Sequence, residues 1–299
     1  MRATWKLNKP SLFGQNVSLE EDVIHVLVVI PEGAGGSASD ISATNKLLTE
    51  IHENTVLTKR KIYVHSQVGS TEYKEILAAF NITVKPVRKT AAKWDKVNVF
   101  TWDKELSEEK QKDKYRRYVE RNIGKFLQEK KLCVFSVENT RDILRVVAKG
   151  PNIELSGRTD LLILSDIVME SAAYALDLPE VKMLIEVKKK VERQSVFQAM
   201  SELIALDLLT NDPVFALLTD FNNDWQFFWI AMGENNTTCV NRVNITNPGE
   251  AFEMIRELLK STASTEITTP VLQDPVKRRK LSRVLPSINE AGESGRILC

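Results

Sequence analysis

Short apolar runs alternate along this chain with longer segments whose apolar residues recur at helical spacing. The run from Val23 to Ile30 predicts a strand, ended by Pro31 and the glycine-rich stretch Gly33 to Ser37. That stretch lacks the Gly-Lys-Ser/Thr ending of a phosphate loop and reads as a hinge. Helical spacing over 40–56 is followed by a strand-like segment, Lys61 to His65, and a helix over Thr71 to Phe80. Extended pieces are expected at Asn81 to Lys85 and Asn98 to Trp102. Residues 105–130 are densely charged, yet place Tyr115, Tyr118, Val119, Ile123, Phe126 and Leu127 at helical spacing. Ser107 followed by Glu108 and Glu109 marks the start of that helix, with acids at the positive end of its dipole. Leu132 to Val137 and Ile143 to Val147 predict two strands paired across a polar turn, and Thr159 to Leu164 and Met183 to Val187 predict two more. A helix over Arg193 to Leu209, with Phe197, Met200, Leu203, Ile204 and Leu208 as its stripe, stops at Asn211-Asp212-Pro213. Val214 to Thr219 and Trp225 to Ile230 predict a hairpin around Asn222-Asn223-Asp224, and 249–260 a last helix. Beyond Ser261 the periodicity ends, and a Ser/Thr/Pro-rich and then basic segment predicts a disordered tail.

Charge interrupts two of these apolar strands. Asp160 stands in Gly157-Arg158-Thr159-Asp160-Leu161, and Glu186 and Lys188 in Ile185-Glu186-Val187-Lys188. Side chains alternate along a strand, so Glu186 and Lys188 share one face and Val187 takes the other. Ionised groups on a buried strand are costly unless paired or used. With Asp160 on a neighbouring strand, two carboxylates and an ammonium converge. That set is sufficient to hold a divalent metal and activate water against a phosphodiester. The competing reading is an edge ion pair between Glu186 and Lys188, with Asp160 capping a turn.

Composition narrows the setting. The 299 residues are 43% hydrophobic and 27% charged, ordinary for globular protein, and the net charge of +1 confines any nucleic-acid surface to a local patch. Cys133, Cys239 and Cys299 are scattered and form neither a disulfide framework nor a zinc motif. His25, His52 and His65 all lie in the first quarter, away from the acids, and read as packing or surface residues. No apolar run reaches membrane-spanning length, and the N-terminus lacks the apolar core of a signal peptide. Trp225, Phe227, Phe228 and Trp229 are expected in the core of the hairpin, with base stacking as the alternative.

The succession of helix, strands, Asp160 strand, Glu-x-Lys strand, helix and strand resembles the PD-(D/E)XK nuclease core, although Thr159 stands where that motif has proline. The resemblance implies a restriction-endonuclease-like α/β fold, with a mixed central sheet flanked by helices. It implies Mg²⁺ (or Mn²⁺) held by Asp160, Glu186 and the Val187 carbonyl, with Lys188 orienting or deprotonating the attacking water. Gln198, on the following helix with Glu202 one turn on, matches an accessory glutamine of such enzymes. A further acid from the preceding helix is implied; Glu120 is the candidate, with Glu109 and Glu138 as competitors.

A second resemblance is narrower. Ile24 to Gly33, Phe100 to Leu106, Ser156 to Asp160, Ile185 to Lys189, Gln198 to Leu203 and Leu218 to Trp229 resemble Crinkler effectors with a C-terminal domain of the restriction-endonuclease-like type. The likeness spans about 20–35 and 95–260 and implies a secreted protein that acts in the nucleus of a host cell, with its own nucleus or cytoplasm as the alternative. The compact basic run Lys277, Arg278, Arg279, Lys280 reads as a nuclear localisation signal for an import receptor. The expected organisation is a remnant of the Crinkler header and hinge over 1–36 and a small α/β region or elaboration over 37–100. A nuclease-like domain over 101–262 and a disordered basic tail over 263–299 follow. The expected activity is metal-dependent cleavage of DNA; the alternative is an inactive nuclease-like effector that binds DNA or a host nuclear protein.

Overall fold

The computed structural model describes residues 60–91, 97–137, 142–148, 150–233, 237–260 and 266–281. The expected strand at 23–30, the glycine-rich hinge, the 40–56 helix, His25, His52, Glu138 and Cys299 lie outside the described residues.

A seven-stranded mixed sheet organises the rest. Its strands are β2 (Ile82–Pro86), β3 (Leu132–Ser136), β6 (Leu161–Ser165), β7 (Met183–Val187), β8 (Phe215–Thr219), β9 (Trp225–Met232) and β10 (Thr238–Ile245). They run in the order β2-β10-β9-β8-β7-β6-β3. β7 and β8 are parallel, as are β10 and β2; the other neighbours are antiparallel. The central strands β7 and β8 are buried at every position, so their sequences read as continuous apolar runs.

Two layers cover this sheet. Helices α2 (Lys112–Glu129) and α4 (Pro248–Lys260) pack on one face, over Ile185, Val187, Phe227 and Trp229. α2 buries Lys112 and the apolar stripe that starts at Tyr115 and Tyr118, and leaves the rest of its charged face to solvent. Asn247 Oδ1 caps α4 by accepting the N–H groups of Gly249 at 2.8 Å and Glu250 at 3.2 Å. The opposite face carries α3 (Arg193–Leu209), which is buried without a break from Ser195 to Asp207. A helix enclosed all round needs a second layer. α1 (Ser70–Ala79) and a three-stranded sheet supply it, built from β1 (Lys61–Val64), β5 (Ile153–Ser156) and β4 (Val146–Ala148) in the order β1-β5-β4. The α/β class with a mixed sheet between helices is as expected.

Several expectations change. Asn98 to Trp102 forms no strand; Trp102 instead donates its indole N–H to the Asp220 carbonyl at 2.8 Å. The segment after Val137 does not fold back on β3: β3 pairs with β6, while β4 pairs with β5 in the other sheet. Adjacency in sequence was the wrong guide, because the open flank of β3 is taken by the longer run of β6. β5 itself was not foreseen. Asp160 precedes β6 rather than standing inside it. All four hairpin aromatics are buried, so Trp225, Phe227, Phe228 and Trp229 build core and present no faces to bases.

The tail from 263 is not loose over 266–281. β11 (Glu266–Ile267) and β12 (Val276–Lys277) pair, and the chain then lies as a strap on the sheet and α3. The Arg279 N–H donates to the Ile230 carbonyl at 2.9 Å. Arg278 is 6% exposed, with its guanidinium 4.6 Å from the Phe215 ring centroid and Nη1 donating to the Pro213 carbonyl at 3.0 Å. Lys280 is 3% exposed and paired with Asp207. Lys277, at the edge, pairs with Glu266 at 3.7 Å. Of the basic run read as a nuclear localisation signal, Arg278 and Lys280 are thus buried in this strap, and Lys277 lies at its edge.

Candidate functional site

The carboxylates are placed by strand register and one loop. Leu161 pairs with Ile185 across β6 and β7, which sets Asp160 beside Glu186 and Val187 at the end of the strands. The Val187 N–H donates to Asp160 Oδ2 at 2.8 Å and fixes that carboxylate. The loop feeding β6 turns at Gly157, whose φ of +131° suits glycine. An added Cβ there would meet His65 Cδ2 at 3.0 Å. His65 is buried behind this loop, with Nδ1 2.9 Å from Ser201 Oγ on α3, and burial lowers its pKa to about 4.

Glu186 is 2% exposed and richly partnered. Its Oε1 accepts from Lys188 Nζ at 2.6 Å and from Gln198 Nε2 at 2.7 Å. The same Gln198 nitrogen donates to Glu202 Oε1 at 2.8 Å. Glu202 is fully buried, and its Oε2 has no hydrogen-bond partner. Thr159 Oγ1 lies 3.3 Å from the Ile185 carbonyl and 3.5 Å from Glu186 Oε2. Asp160, Glu186, Lys188 and Gln198 thus meet around one open cavity of about 700 Å³, also lined by Glu108 and Glu109. Glu186 and Lys188 are an ion pair, and Asp160 lies beside them at the same cavity rather than at a separate turn.

Charge in this cavity is unbalanced. Burial first, and then the Asp160 charge, lift the Glu186 carboxyl to about 8. Burial also raises Asp160, against the pull of Lys112, the Val187 N–H and Lys188. Glu202 is pushed well above the usual carboxylate range, by burial and then by Glu186. Burial alone would lower Lys188, but Glu186 and Asp160 outweigh it and keep the ammonium charged.

Two contributors escaped the sequence reading. Lys112, at the start of α2, is 2% exposed and sits 3.7 Å from Asp160 Oδ1. Glu108 accepts the Lys189 N–H at 2.6 Å through Oε1. Its loop is folded by Gln111, whose Nε2 reaches the carbonyls of Asp103, Leu106 and Ser107 at 3.0, 3.1 and 3.3 Å. The candidate acid Glu120 is not brought to the cavity. It lies on the outer part of α2, 3.5 Å from Arg116, because its position in the helical repeat turns away from the strand ends. Glu109, a competitor, lines the cavity and pairs with Arg158 at 3.8 Å. The signal for Glu108 was the Ser107-Glu108-Glu109 helix start; Lys112 gave none.

A curated Crinkler effector protein of Phytophthora sojae is 46% identical over 99% of this chain, which covers 72% of that relative. One from Phytophthora capsici is 45% identical over 99% of this chain and 71% of its own. The chain belongs to the Crinkler effector family. A Crinkler effector protein of Phytophthora infestans is 46% identical over 91% of the chain and 62% of its own length. No protein-family model matches. The Crinkler assignment makes this chain an effector.

The donor set of this Crinkler cavity fits a hard divalent cation. Asp160 and Glu186 line it and offer carboxylate oxygens, the ligands that Mg²⁺ or Mn²⁺ take beside water. Val187, whose carbonyl is the expected further ligand, is buried at the strand end next to them. Among the described residues no group of three His, Cys, Asp or Glu side chains forms a complete cage, so an ion here would depend on water or substrate oxygens as well. Glu186, lifted by burial and then by the Asp160 charge, supplies the electrostatic demand for such an ion.

Proposed function

We propose that this Crinkler effector is a metal-dependent nuclease that cleaves DNA, secreted and acting in the nucleus of a host cell. The observation that carries the reading is the meeting of Asp160, Glu186, Lys188 and Gln198 at one cavity, from two adjacent strands and the helix after them. A cavity lined by several carboxylates repels a phosphodiester. Asp160 and Glu186, with the Val187 carbonyl as the expected further ligand, would hold a divalent cation, which would reverse that field and supply Lewis-acid activation of water and phosphate.

The protein groups have separable tasks. Asp160 is oriented by the Val187 N–H and Glu186 by Gln198 and Lys188, so neither carboxylate has to reorganise. Lys188 remains an ammonium, which suits holding an anionic phosphate oxygen and developing charge rather than accepting a proton. Glu202 braces Gln198 from behind by accepting its Nε2. Lys112 offsets part of the Asp160 charge from within the fold.

That buried lysine also favours a second reading, an effector with a nuclease-like fold that binds DNA or a host nuclear protein without cutting. Lys112 and Lys188 between them already face both carboxylates. The test is incubation of the full chain with supercoiled and linear DNA in Mg²⁺, Mn²⁺ or chelator, beside Glu186→Ala. Metal-dependent cutting lost in the variant supports the nuclease. A salt-sensitive mobility shift without cutting selects the binding effector.

A further inference from the structure

Across the first turns of α3 from the carboxylates lies a second cavity, of about 430 Å³. It opens over the same sheet face. Glu186 is in register with Leu218, and Leu218 with Gln226, so Glu186 and Gln226 point the same way, two strand spacings or roughly 10 Å apart. Gln226 is 4% exposed; its Nε2 donates to Asp224 Oδ1 at 3.2 Å, and its Oε1 has no partner. Buried acceptors of this kind are rare in folded proteins and mark places where a ligand or water completes the site.

Two cations flank it. Arg242 lies opposite Phe228 on β9, its guanidinium 5.9 Å from that ring centroid. Arg193 opens α3, its guanidinium 5.7 Å from the Phe197 centroid. Neither guanidinium makes an ion pair or hydrogen bond among the described residues. The half-buried Tyr73 stacks on Phe197 at 4.4 Å, and the acid Glu192 on the wall is taken up by Lys190 at 3.0 Å.

We propose that this cavity is a nucleotide subsite for the nucleic-acid strand being cut. Arg193 and Arg242 hold the phosphate of a nucleotide near the scissile bond, and Asp224 and Gln226 accept hydrogen bonds from its base. The donor and acceptor balance points to a whole nucleotide. A bare phosphate satisfies the arginines but is repelled by Asp224 and brings no donor to Gln226. A nucleotide carries an anion, ring and amino donors, and a flat face to lie along the aromatic wall. The proposal rests on the nuclease reading for the path of the strand, which would pass the exposed start of α3 at Arg193 from one cavity to the next.

The test is fluorescence anisotropy of a labelled single-stranded oligodeoxynucleotide with the full chain in chelator, over a salt series. Arg193→Ala/Arg242→Ala is expected to weaken binding about tenfold. It should also flatten the salt slope by about 0.7, the change expected when one phosphate is no longer neutralised. Lys125→Ala/Lys130→Ala, removing equal charge from the opposite side of the sheet, should leave both unchanged. Gln226→Leu should weaken binding of the normal oligonucleotide but not of an abasic one; equal effects on the two overturn the base recognition. Cleavage by wild type in Mg²⁺ is scored separately. A chain that cuts, but whose binding ignores both arginines, sinks the subsite and keeps the nuclease. A chain that does not cut, but whose binding depends on them, does the reverse.

Discussion

Lys280 and Asp207 form an ion pair at 3.4 Å with side chains only 4% and 1% exposed. The Leu281 N–H donates to the same carboxylate oxygen at 2.8 Å, so one buried acid on α3 holds the end of the strap. Removing one member of a buried pair leaves the other charge without its partner, at a cost of about 3–5 kcal/mol. Lys280→Ala should therefore lower the melting midpoint by about ten degrees, whereas Lys280→Met combined with Asp207→Leu should recover most of the loss. A circular-dichroism melt decides; an unchanged midpoint in the single variant means that the pair does not anchor the strap.

Stability should also depend on Glu186 in a definite pH window. Its carboxyl is raised from 4.5 to about 8 in the folded chain. Between those values the folded state keeps a proton that the unfolded chain has released, so this group makes stability fall as pH rises through the window. Glu186→Gln should flatten that fall. The same proton must leave when a cation takes the carboxylate. Adding Mg²⁺ near neutral pH should release protons from wild type and fewer from the variant, measurable by titration calorimetry in buffers of different ionisation heat. Equal release from both proteins would rule out Glu186 as a ligand.

Gly157→Ala probes the loop that delivers Asp160. At φ +131° a side chain is strained, and its Cβ would press on His65 Cδ2 at 3.0 Å. The cost is expected at about 1–3 kcal/mol. Because the strain sits three positions before Asp160, metal-dependent cleavage should drop by more than the melting midpoint suggests. Full activity with a normal melt would show that the loop tolerates the change.

The Glu-x-Lys strand and the helix after it were legible because both are central. β7 is apolar except for Glu186, and α3 spans the residues its pattern predicts. Glu108 and Lys112 were hidden for a different reason. They stand in a charged segment that looks solvated, and only the folding of the 103–108 loop on Gln111 turns them inward. The strap was missed because its burial relies on the aliphatic stems of Arg278 and Lys280, which no hydropathy pattern scores as apolar. The exchange of strand partners among β3, β4 and β6 is a long-range choice that adjacent segments do not encode.

The parallel pairing of β1 with β5 runs in register from Lys61 opposite Ile153 to Val64 opposite Ser156, and the residues that follow, His65 and Gly157, pack against each other. A pull on the chain at Arg60 is therefore borne in shear along the whole pair before any of it reaches the turn that aims Asp160. Because β5 continues directly into Gly157, that ladder and the loop carrying Asp160 form one connected load path.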